Sequence, residues 1–87
     1  MIYMISYDLS APTTNRTMVE NSIKSLGLWC KYLTTTFLVS STMSLADVQA
    51  AAAQHLDSND RMIVCRVEKP VGGFLAQEQW EWIHRYF

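Results

Sequence analysis

Strand, helix, strand, occurring twice along 87 residues, predicts a single α+β domain. Three observations carry that expectation. Short runs rich in β-branched and aromatic residues begin near positions 2, 28, 34 and 61. Two stretches with the helical spacing of apolar residues lie between them, around Met18–Leu26 and Leu45–Leu56. Hydrophobic residues are 49% of the chain and charged residues 17%, which is too apolar for disorder and rich for a small monomer. That surplus favours a homo-oligomer.

The first element, Ile2 to Tyr7, has the length and composition of a buried central strand. Asp8 stands where the chain leaves it. A carboxylate there is a turn former, a helix cap or a metal ligand, and the sequence alone leaves all three open. Leu9 to Thr14 reads as a connection, with Pro12 in the loop or at the first helical position. Asn15 to Leu26 reads as a helix with Met18, Val19, Ile23 and Leu26 on one face. Asn15 or Thr14 would cap it, and Thr17 with Glu20 has capping-box spacing. Gly27 sits where a left-handed C-terminal residue is expected. Arg16, Glu20 and Lys24 form the opposite face, expected to be solvated, with Glu20 and Lys24 spaced to pair.

Leu28–Leu33 and Thr34–Ser40 read as a hairpin with its turn near Leu33–Thr35. Trp29, Tyr32 and Phe37 alternate along it and are expected in the core or an interface. Ser44 to Leu56 reads as a helix capped by Ser44, with Leu45, Val48, Ala52 and Leu56 as its buried stripe. His55 falls near its C-terminal end, where the helix dipole favours an imidazolium. Asp57-Ser58-Asn59-Asp60 reads as a turn; it lacks the glycine and distal Glu of a calcium loop. Arg61–Val67 is the last strand, and Lys69–Gly73 breaks it. Phe74 to Phe87 is expected as an amphipathic helix, with Leu75, Gln79, Trp80, Ile83 and Phe87 on one side. It would cover the sheet or swap onto a second subunit.

Several function classes lose support. The seven Lys and Arg residues are scattered and the net charge is -1, so no basic patch marks nucleic-acid binding. Cys30 and Cys65 lie in strand-like runs without metal-ligand spacing and are expected as reduced core residues. No charged leader precedes the first strand and no apolar run approaches the roughly 20 residues of a membrane span, so a cytoplasmic location is expected.

The element order strand, helix, strand, strand, helix, strand is that of the ferredoxin-like βαββαβ fold. It implies an antiparallel four-stranded sheet with both helices on one face, followed by a C-terminal amphipathic tail over 71–87 that carries the aromatic helix or, alternatively, adds a strand across a dimer. Residues 1–87 then form one ferredoxin-like domain. The opening Tyr7-Asp8-Leu9-Ser10, Gly27, and Asp57-Ser58-Asn59-Asp60-Arg61-Met62-Ile63-Val64 resemble the small CRISPR adaptation endonuclease superfamily. The likeness is closer to its SinR-like branch of small proteins from bacteria and phages, which share the Ile-Ser-Tyr-Asp-Leu opening and the Asn-Asp before the final strand.

The resemblance implies a homodimer in which two copies of Asp8 approach across the two-fold axis. They would hold Mg²⁺ or Mn²⁺ for phosphodiester cleavage, with Ser10 orienting Asp8 or a metal-bound water. The family's basic residues near the first helix and the hairpin are thinly represented, and the hairpin reads Thr34-Thr35-Thr36-Phe37-Leu38-Val39. The expected function is therefore a noncatalytic dimeric binding or regulatory module, acting on a protein or nucleotide ligand and related to phage or defence systems. The alternatives are a metal-dependent nuclease using Asp8 and a noncatalytic nucleic-acid-binding dimer.

Overall fold

The alternation of Ile2-Tyr3-Met4-Ile5-Ser6-Tyr7-Asp8 sets the architecture, because successive side chains of a strand point to opposite faces. The structure is a computed structural model that describes residues 1–10 and 15–87. The expected roles of Pro12 at the helix start and Thr14 as a cap lie outside the described residues. The elements are β1 Ile2–Asp8, α1 Arg16–Lys24, β2 Leu28–Leu33, β3 Thr36–Ser40, α2 Leu45–Ala52, β4 Arg61–Val67 and α3 Gln77–Tyr86. The sheet is antiparallel, in the order β2-β3-β1-β4. This is the ferredoxin-like arrangement, with an added C-terminal helix.

The odd residues of β1 face the helical layer. Tyr3, Ile5 and Tyr7 pack there with Val19, Ile23, Phe37, Val39, Val48 and Ala52 in one buried cluster. The even residues face the other way. Ile2 is buried with Leu38, Tyr32 and Ile83, and Met4, Trp80, Trp82, Tyr86 and Phe87 pack around them. The aromatic tail thus covers part of its own sheet. Each of these large side chains stabilises the fold by roughly 1.5–3 kcal/mol when buried from water.

Polar contacts fix the elements in place. Asn15 caps α1 by accepting from the Met18 N–H at 3.2 Å, and Ser44 caps α2 from Asp47 at 3.2 Å. Gln79 ties α3 to β2. Its Nε2 donates to the carbonyls of Lys31 (3.2 Å) and Tyr32 (3.0 Å), and its Oε1 accepts from the Ala76 N–H at 2.9 Å. The Tyr32 hydroxyl returns a bond to the Gln79 carbonyl at 2.7 Å.

Five expectations are revised. Gly27 is not a left-handed cap: α1 ends with Ser25 in right-handed helical geometry, its N–H bonded to Asn21 and Ile23 carbonyls. Glycine is needed at 27 for close approach, since a Cβ there would lie 2.0 Å from the Ser40 carbonyl oxygen. Met18 is exposed because α1 buries only the narrow strip Val19, Ser22 and Ile23. Leu45 likewise stands exposed at the first position of α2, which buries Val48 and Ala52. The second helix stops at Ala52, where the Leu56 N–H turns to the Ala53 carbonyl and swings Leu56 back onto the core. His55 therefore lies in a turn beyond the helix. The third helix begins at Gln77, set by the Gln79–Ala76 bond, so Phe74 stands fully exposed outside it.

Among the described residues, no helix is long and apolar enough to cross a membrane. Gly27→Ala is expected to lower stability by about 1–3 kcal/mol through this clash. Gly72→Ala, whose added methyl meets open space, is expected to change it far less. Urea denaturation of the two variants beside wild type measures both.

Candidate functional site

Directly paired residues in antiparallel strands share a face, so the register defines what lies around Asp8. Asp8 pairs with Arg61, and the next row inward runs Leu33, Thr36, Ser6, Ile63 across all four strands. A register shift between Lys31 and Leu33 helps place Tyr32 and Leu33 on this same face. The row lies beyond the reach of α3. Its ends are open, with Leu33 62% and Ile63 61% exposed. Its centre is tied by a 3.0 Å hydrogen bond between the Ser6 and Thr36 hydroxyls. A shallow depression of about 270 Å³ lies at the Asp8 end, lined by Ser6, Tyr7, Asp8, Arg61, Met62 and Ile63.

Asp8 is exposed at the last position of β1. Arg61 does not neutralise it. The guanidinium turns back to the Asp60 carbonyl at 3.1 Å and the Ser58 carbonyl at 3.5 Å. The ion pairs among the described residues are Lys31–Glu20 and Arg66–Glu68, and Asp8 joins neither. Ser10 is engaged elsewhere. Its N–H and hydroxyl both donate to Asp60 Oδ1, at 2.9 and 3.3 Å. The structure thus brings Ser10 to Asp60 and gives no bond between Ser10 and Asp8 among the described residues.

Asp60 is a buried carboxylate whose structural weight sequence reading missed. Its second oxygen accepts from the Asp57 N–H at 2.9 Å. One side chain therefore closes the 57–60 turn and ties it to the end of β1, some fifty residues away in sequence. The signal was the side-chain-bonding run Asp57–Asp60, read only as a local turn.

A second polar group lies under α1. Glu20 accepts from the Tyr7 hydroxyl and from Lys31 Nζ at 2.9 Å. Lys24, expected to pair with Glu20, sits 4.6 Å above the Trp29 ring instead. Burial pushes the Glu20 carboxyl up, but the Tyr7 and Lys31 hydrogen bonds and the Lys31 and Lys24 charges outweigh it and hold it below the usual range. Burial, then the bond to Glu20, raises the Tyr7 phenol well above its ordinary value. Burial likewise raises the half-buried Cys30 thiol.

A divalent cation needs about six oxygen ligands, and one exposed carboxylate supplies two at most. Among the described residues, no three of His, Cys, Asp and Glu gather as a metal site. Asp8 therefore belongs to no such group among the described residues, and one copy of it would offer a hydrated cation a single carboxylate.

No family model matches the chain, and no curated protein matches it. Among solved structures it is similar to a hypothetical protein from Thermus thermophilus, with 24% identity and a TM-score of 0.63. That match covers 86% of this chain and 93% of the other. It shows a shared fold.

The lowered Glu20 carboxyl carries a pH dependence. Its stabilisation is fully present above the unfolded value of about 4.3 and is lost as pH falls through its lower folded value. Glu20→Gln is expected to flatten that acid limb and leave a smaller, pH-independent loss. Urea titrations stepped across the acid range measure the difference.

Proposed function

We propose that the chain is a noncatalytic binding module, working as a homodimer, that engages another protein through the open half of its sheet. The observation behind this reading is the row Leu33, Thr36, Ser6, Ile63, two exposed aliphatic ends around a hydroxyl pair on a face that α3 leaves bare. Apolar surface held rigidly on strands suits a protein partner, because little side-chain freedom is lost on docking. The near-neutral charge balance points the same way, since phosphate recognition draws its affinity from clustered cations.

Leu33 lies at the end of an edge strand, far from β1 and β4, so substituting it probes this surface alone. Leu33→Glu is expected to reduce partner capture after cross-linking in the producing cells by about tenfold or more, with folding unchanged by circular dichroism. Wild type that yields no specific partner, or capture that Leu33→Glu leaves intact, counts against the reading.

The competing reading is the metal-dependent phosphodiesterase at Asp8. Assays of DNA and RNA with Mg²⁺ or Mn²⁺ are expected to give the same background for wild type and Asp8→Ala. Metal-dependent cleavage that Asp8→Ala abolishes would replace the binding module with the enzyme.

A further inference from the structure

The two edges of the sheet differ. At the β2 edge, the Gln79 side chain occupies the Lys31 and Tyr32 carbonyls, and a register shift breaks the strand. These are the usual devices against edge pairing. At the other edge, β4 runs from Arg61 to Val67 in unbroken register with β1 and without Pro or Gly. Among the described residues it has one strand neighbour, β1.

The direction of its free backbone groups follows from the register. The Tyr7 N–H donates to the Thr35 carbonyl at 3.1 Å, so the odd residues of β1 point their backbone groups to the β3 side. The even residues then bond to β4, at their partners Arg61, Ile63, Cys65 and Val67. Met62, Val64 and Arg66 are left with N–H and C=O aimed outward. Beside them runs a groove of about 300 Å³ between α2 and β4, lined by Gln49, Ala53, Leu56, Met62, Ile63 and Val64.

We infer that β4 pairs antiparallel with β4 of a second copy, about a two-fold axis at Val64, joining two four-stranded sheets into one. The strand is self-complementary in this register. Val64 meets its own counterpart, Met62 meets the partner's Arg66, Ile63 meets the partner's Cys65, and Arg61 meets the partner's Val67. No like charges are directly opposed. An axis at Arg66 would set two guanidinium groups face to face, and one at Met62 would carry half of the strand past its partner. The Val64 register closes about six backbone hydrogen bonds, two for each of the three outward residues. It also covers part of exposed Ile63.

This arrangement rests on the homodimer named above and specifies its geometry. An axis perpendicular to the sheet keeps both open half-faces on the same side of the joined sheet, at opposite ends of the strand direction, each beside the α3-covered half of the other copy. It also holds the two Asp8 carboxylates roughly 25 Å apart, from strand spacing and rise, which is too far to share a cation.

Site-directed cross-linking tests it. In a Cys30→Ser, Cys65→Ser background, Val64→Cys is expected to form a disulfide-linked dimer under mild oxidation, since paired residues lie about 5.5 Å apart between Cα atoms. Arg66→Cys is expected to stay unlinked. In wild type, the Val64 and Arg66 amides are expected to gain protection from hydrogen exchange as concentration rises, together with a doubled mass in light scattering. A monomer at every concentration, or an unpaired β4 edge that instead gains protection from an added extended peptide, overturns the proposal. A dimer linked as readily through Arg66→Cys as through Val64→Cys also overturns it, while leaving the binding-module reading to the Leu33→Glu test.

Discussion

The period-two alternation of β1 is the constraint on which the rest depends. One central strand serves two cores, and its side chains are divided by parity. Tyr3, Ile5 and Tyr7 are committed to the helical layer, and Ile2 and Met4 to the layer under α3. A slip of one residue would exchange the two sets and drive Ser6 and Asp8 into the helical core without partners. The polarity of those two even positions has a structural basis as well. Beyond Met4 the covered face ends, and Ser6 and Asp8 stand where α3 does not reach.

Two polar side chains hold the layers in register around that strand. Gln79 satisfies edge carbonyls of β2 while setting the start of α3, so one amide both closes a sheet edge and anchors the covering helix. Asp60 gathers N–H groups from Ser10 and Asp57, and so locks the end of β1 to the entry of β4. Charge-assisted bonds to a buried carboxylate are stronger than neutral ones and costly to leave unmade. These contacts leave β4 as the one sheet edge among the described residues without a covering group. The open half-face and that edge are what such devices leave exposed.

The chemistry available at Asp8 follows from the same geometry. Asp8 stands at a strand end with its cross-strand arginine turned away, and it joins no group of three metal-ligating side chains among the described residues. Ser10, the nearest hydroxyl in sequence, is spent on Asp60. Ser10 and Asp60 thus act as architecture in this region.

The order of elements, the cap at Ser44 and Asn15 as one of two candidate caps were legible in the sequence, because each is set by residues within a few positions of one another. The bounds of β4 were equally plain, since Asp57–Asp60 and Glu68–Gly73 punctuate it. Other features were decided by tertiary structure. Gly27 looked like a helix cap, yet its requirement comes from Ser40 across the sheet. Glu20 looked paired with Lys24 on its own helix, yet it turns to Tyr7 and Lys31. Local sequence was enough for the order of strands and helices, but not for which side chains each strand buries, as exposed Trp29 shows. Only the tertiary structure decided how far α3 covers the second face, and hence which residues remain open. Coverage depends on where a helix is anchored by partners distant in sequence, as Gln79 is by β2, and no local pattern encodes that distance.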